Sequence, residues 1–183
     1  MKFLETEFSD LYLIETDTVG DERGWFMRTF DEKLFYKNIP NFNSKWVQMN
    51  QSFNKEKYTW RGFHFQEPPY QETKVVRCIS GSIIDCVLDI RKYSSSFLKV
   101  FTTELTAQNK KMLYIPKGFA HGFFTQTNDT EVVYLHDEFY NQKFEKGILF
   151  NDNKINFDLK FQISHISERD KNHITLTEDF KGY

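Results

Sequence analysis

From about residue 44 onward the chain is a succession of short β-type runs divided by polar or Gly/Pro-containing turns, and this spacing does most to limit its architecture. The runs are 74–79, 82–90, 98–105, 111–115, 122–126 and 130–135, with alternating stretches at 48–52 and 60–66 before them. Connections this short cannot hold the crossover helices of a parallel sheet, so the spacing predicts an antiparallel sandwich, jelly roll or β-barrel. Helices are expected to be short. One spans 31–38 and opens on Asp31 as N-cap; another spans 168–172, with Ser167 as cap. Ser80-Gly81 predicts a two-residue turn in which 79 faces 82 and 78 faces 83. A single domain is expected over 1–183, with an N-terminal strand segment and a short C-terminal helical and polar tail whose end, 178–183, frays.

Composition narrows the class of protein. Twenty Phe, nine Tyr and three Trp supply ample material for a dry core, which excludes disorder over most of the chain. A net charge of −2 argues against nucleic acid as a partner. No apolar run approaches the ~18 residues of a membrane helix. The opening Met1-Lys2-Phe3-Leu4-Glu5 lacks the apolar stretch of a secretory signal, so a soluble, cytoplasmic protein is expected. Cys78 and Cys86 flank the turn several positions out of register, and read as small buried thiols rather than a bridge.

Three segments concentrate polar and titratable groups within strand-like surroundings. In 48–52, alternation puts Gln48, Asn50 and Ser52 on one face; in 60–66 it puts Gly62, His64 and Gln66 opposite Phe63 and Phe65. The second segment holds Lys74, with Arg77 three on and Asp85 across the expected hairpin; the third joins 115–122, with His121, to 131–134, with Tyr134. A metal on His64 and His121 would need about three or four converging N/O ligands. Gln66 stands where a second ligand from the His64 strand is required, and His136, His165 and His173 lack paired spacing, so no metal is expected.

The motifs Val47-Gln48-x-Asn50-x-Ser52, Arg61-Gly62-x-His64-x-Gln66, Lys74-x-Val76-Arg77-Cys78, Asp89-x-Arg91, 115–123 and Ile166-Ser167-Glu168-Arg169-Asp170 occur in order, after an opening Asp21-Glu22-Arg23-Gly24-Trp25-Phe26. Together they resemble the dTDP-4-dehydrorhamnose 3,5-epimerase family over about 8–170. The resemblance implies a metal-independent cupin jelly roll, without cofactor and usually a homodimer, acting on a nucleotide-linked 4-keto-6-deoxy sugar. It implies His64 as base, Asp170 as its hydrogen-bonded partner, Lys74 beside the enolate oxygen and Tyr134 as the opposed acid. It implies substrate contacts from Arg23, Arg28, Gln48, Asn50, Arg61, Lys74, His121, Glu145 and Arg169, the two arginines 23 and 61 on the diphosphate.

Some positions depart from that pattern. In the best-known relatives the position of Arg28 is a glutamate that accepts the thymine N3–H, a contact closed to a side chain with donors only. Trp60, Phe63 and Tyr70 are bulkier than usual, and Leu135-His136 replaces a lysine-containing pair. The leading expectation is inversion at C3 and C5. The competing ones are a single-centre 3-epimerase on a CDP- or GDP-linked sugar, a ketoisomerase, and a non-catalytic nucleotide-sugar-binding cupin. The apolar N-terminal residues Phe3, Leu4, Phe8, Leu11, Tyr12, Leu13 and Ile14 are expected either to pair with a partner's sheet or to edge their own.

Overall fold

The computed structural model describes residues 1–155 and 157–183. Two antiparallel sheets lie face to face. The first contains, in spatial order, β1 (Lys2–Glu5), β2 (Tyr12–Glu15), β10 (Met112–Ile115), β7 (Lys74–Ser80), β12 (Thr130–His136) and β5 (Gln48–Asn54). The second contains β13 (Glu145–Gly147), β6 (Thr59–Gln66), β11 (Phe119–Thr125), β8 (Ser82–Asp89) and β9 (Val100–Thr106), with β14 (His165–Ile166) added parallel to β6. The hairpin of β3 (Thr18–Asp21) and β4 (Gly24–Met27) forms a small sheet of its own. This is the expected jelly roll.

Its aromatic wealth fills three apolar layers. Between the sheets pack Val76, Cys78, Ile83, Val87, Leu105, Leu113, Phe123 and Val132. The outer face of the second sheet, with Trp60, Phe63, Phe65, Leu88 and Phe124, is covered by Ile148, Ile155 and Leu176 from the C-terminal segment. The outer face of the first sheet is covered by α1 (Glu32–Asn38) and the loop after it, through Phe35, Ile39 and Phe42. Asp31 caps α1 by accepting from the Leu34 N–H, and Ser167 caps α2 (Glu168–Lys171) by accepting from the Asp170 N–H, as their side chains predict.

Two expectations fail. β7 and β8 do not pair: β7 lies between β10 and β12, and β8 between β11 and β9. The Ser80–Gly81 turn instead carries the chain from one sheet to the other, and β7 and β8 each take both their partners from their own layer. Cys78 therefore faces the layer between the sheets and Cys86 the outer layer, both free and buried, with burial pushing their thiols upward in pKa. The C-terminal end is not frayed. The Tyr183 N–H donates to Ile90 O, its carbonyl accepts from the Lys92 N–H, and its hydroxyl donates to Glu67 at 2.6 Å.

At the N-terminus, β1 edges the chain's own first sheet through β2. No helix among the described residues is long and apolar enough to cross a membrane.

Candidate active site

At one end of the sandwich the two sheets part around a cavity of about 280 Å³; strand alternation accounts for much of its lining, and the register shift between β6 and β11 brings Arg61 to the same side as His64. From the first sheet come Gln48, Asn50 and Ser52 of β5, Lys74 of β7, and Tyr134 and His136 of β12; from the second come Arg61 and His64 of β6, His121 and Phe123 of β11, and Glu145 of β13. Phe63 and Phe65 turn away into the outer layer. His64 and His121 are register partners on β6 and β11. These strands approach closely because both lack a side chain next to that pair: a Cβ on Gly62 would stand 2.4 Å from the Gly122 Cα, and one on Gly122 would stand 2.8 Å from the Arg61 carbonyl oxygen.

His64 points one nitrogen at a carboxylate. Its Nε2 lies 2.8 Å from Asp170 Oδ1, while Asp170 Oδ2 accepts from the Gly62 N–H at 3.2 Å. Asp170 is buried at the start of the short helix α2, which the Ser167 cap fixes in place. Burial works against its ionisation, but the hydrogen bond and charge of His64 outweigh that and hold the carboxyl well below the usual range. An ionised Asp170 selects the Nε2–H tautomer and leaves Nδ1 of His64 with the free lone pair.

Across the cavity, the Tyr134 hydroxyl is 3.1 Å from Ser52 Oγ. Burial pushes its phenol far above the ordinary value, against the smaller effect of the Ser52 hydrogen bond, so it stays protonated at neutral pH. Beside it runs a connected polar chain: Lys74 Nζ is 2.9 Å from Glu72 Oε1, Glu72 Oε2 is 2.8 Å from His136 Nδ1, and His136 Nε2 is 3.3 Å from Asn50 Nδ2. Burial would raise the Glu72 pKa, but the Lys74 ammonium and His136 bring it down to about 2. A second imidazole–carboxylate couple joins His121 Nε2 to the buried Asp85 Oδ1 at 2.6 Å, and its ring lies edge-on to Tyr134.

The arginines behave differently from one another. Arg61 is held through Nε to Asn54 Oδ1 at 2.7 Å, which leaves its terminal nitrogens for a ligand. Arg169 donates to Glu145 at 3.0 Å and places Nη2 3.0 Å from His64 Nε2. Arg23 and Arg28 do not reach this cavity in the same chain. Arg23 sits at the tip of the β3–β4 hairpin, paired with Asp21, and Arg28 pairs with Asp31 at 2.7 Å.

Sequence reasoning missed Glu72, Tyr140 and His173. Glu72 lies in a loop just before β7, where strand alternation gives no guide, whereas His136 was available as the residue two on from Tyr134. The His64, Asp170 and His173 ligand atoms lie within 4.8 Å of one another, near enough for a metal ion. Yet the Arg169 guanidinium stands 3.0 Å from the same His64 nitrogen, so the group is arranged as a hydrogen-bonded couple with a cation already beside it.

Comparison with known proteins identifies what carries this geometry. A family model described as dTDP-4-dehydrorhamnose 3,5-epimerase matches residues 5–178. The chain belongs to the dTDP-4-dehydrorhamnose 3,5-epimerase family. It is 40% identical over 172 residues to the Shigella flexneri protein of that name, covering 94% of each chain. The Escherichia coli protein is 37% identical over 179 residues, covering 97% of this chain and 96% of the other. A Bacillus anthracis epimerase solved with TDP and pyrophosphate superposes at a TM-score of 0.90, with 35% identity over 96% of this chain and 99% of that one. A Legionella pneumophila epimerase in complex with dTDP-4-keto-L-rhamnose superposes at 0.88, with 29% identity over 94% and 90%.

Proposed function

We infer that the protein is an isomerase that inverts C3 and C5 of a dTDP-linked 4-keto-6-deoxy sugar. The observation that carries this reading is that an imidazole and a phenol enter one cavity from opposite walls, β6 and β12, with an ammonium on the same wall as the phenol. Hydrogens at C3 and C5 flank the C4 ketone, so removing either leaves an enolate with its charge on O4. His64 takes the proton through Nδ1, and the ionised Asp170 stabilises the resulting imidazolium. Lys74 faces O4 and offsets the developing charge, an interaction of about 2–4 kcal/mol in the transition state. Tyr134 returns a proton to the opposite face, which inverts the centre; a pure binding module needs no such opposed pair. No step calls on a metal or cofactor.

Arg61 and Arg169 suit the diphosphate. Gln48 and Asn50 line the way to the nucleotide, and the exposed ring of Tyr140 at the cavity mouth, anchored by its hydroxyl on Glu145 at 2.8 Å, offers a flat face to a base. His121 and Glu145 complete the sugar side.

The functional unit in this reading is a homodimer. Among the described residues the β3–β4 hairpin pairs with no other strand, and it leaves Val19, Trp25 and Phe26 exposed at 75%, 56% and 72%, an apolar arm that calls for a partner surface. Arg23 and Arg28 then serve the neighbouring chain's cavity.

Solvent exchange in D2O with dTDP-4-dehydro-6-deoxyglucose tests the activity. Deuterium at both C3 and C5 is expected. Deuterium at C3 alone makes the enzyme a single-centre epimerase, and none at either centre refutes the catalytic reading.

A further inference from the structure

Gly147 is the register partner of His64 on β13, and the space left by its missing side chain is filled by another ring. A Cβ at Gly147 would lie 2.2–2.3 Å from three atoms of the His173 imidazole. His173 is thereby wedged edge-on against His64, ring centres 5.2 Å apart, with its side chain only 10% exposed. Its Nε2 lies 3.2 Å from Asp170 Oδ1, the same oxygen that holds His64. That nitrogen is buried and completes no hydrogen bond, a cost that native interiors seldom carry without a reason. A small tilt of the ring would let it donate to the carboxylate.

We propose that His173 is a positioning residue that shares the Asp170 carboxylate with His64 and so limits how firmly His64 holds a proton. The catalytic meaning of this rests on the reading of His64 as the base. A base that must release its proton in each turnover works badly if its carboxylate partner belongs to it alone. A second N–H on the same oxygen draws off part of that charge.

The groups around His173 fix the direction of the effect. From α2, Asp170 attracts a proton and Arg169 repels one; from β6, His64 repels one when charged; β13 presents only the bare Gly147, since its Glu145 is turned to Arg169. Burial, followed by the His64 charge, pushes the His173 ring to give up its proton more readily than an ordinary histidine. Removing His173 returns the whole carboxylate to His64, which then keeps its proton to higher pH.

The test is an NMR titration of the ¹⁵N-labelled imidazoles in the full chain, for wild type, His173→Ala, His173→Gln and Gly147→Ala. His173→Ala is expected to move the His64 midpoint upward by about half a unit or more. His173→Gln keeps a donor and should move it less. Gly147→Ala pushes the His173 ring out of its slot and should reproduce the alanine shift with His173 still in the chain, which guards against one variant failing to fold. The acid limb of kcat/KM should follow the midpoint, with KM little changed. A His64 midpoint that stays at the wild-type value in all folded variants overturns the proposal, whatever the activity. A midpoint that moves in an enzyme showing no solvent exchange upholds the sharing of Asp170 and removes His64 from the role of base.

Discussion

Base and acid make separable predictions at the scale of single residues. His64→Ala should abolish deuterium incorporation at both centres, because neither enolate forms without the imidazole. Tyr134→Phe should still admit deuterium through His64 yet lose inversion by about a hundredfold or more, the range typical of removing a positioned proton donor. The NMR line shape at C3 and C5 and the product stereochemistry separate the two effects. Glu72 gives a prediction about stability. Its carboxyl sits at about 2 in the fold against an ordinary 4.5, so the stabilisation from Lys74 and His136 is fully present above about pH 5 and fades as the pH falls toward 2. Denaturant unfolding should show wild type losing on the order of 3 kcal/mol more than Glu72→Gln across that interval. An equal loss in both proteins would show that Glu72 is not the group that titrates.

The elements show which parts of the site strand periodicity could reveal. The alternation of Gln48, Asn50 and Ser52 and of Gly62, His64 and Gln66 against Phe63 and Phe65 was legible, because side chains on a strand have only two directions to take. Both helix caps were legible for a similar reason, since Asp31 and Ser167 have one favoured use at such a position. The Ser80–Gly81 turn misled because a tight turn fixes the chain's reversal but not the layer to which the next strand belongs, and partner choice there depends on contacts distant in sequence. His173 was illegible because its place depends on a vacancy at Gly147, in another element. The Gly62–Gly122 contact predicts that Gly62→Ala, at φ +132° and with its Cβ 2.4 Å from a backbone carbon, destabilises the protein by about 3 kcal/mol, a fall in Tm of about 10 °C. Differential scanning calorimetry measures it, and a change under 2 °C would mean that β6 and β11 separate easily.

For the whole molecule, the dimer proposed above, in which the hairpin arm reaches the neighbouring chain, would make each cavity depend on two chains. His64→Ala and Arg23→Ala subunits, each impaired alone at low substrate, should regain activity when mixed and refolded together, since about a quarter of the sites then combine an intact imidazole with an intact arginine. Absence of any recovery would place Arg23 outside the substrate's reach. Phe26→Asp should shift the sedimentation of the protein toward the monomer. The placement of the two groups to which the proposed mechanism gives proton transfer has a wider result. Because one hangs from each wall, the gap they must span is set by the filling of the sandwich, by residues such as Val87, Leu113 and Val132 that never meet a sugar. Shaving a methyl group from that filling would retune turnover from a distance, as a thinner spacer alters the bite of a clamp.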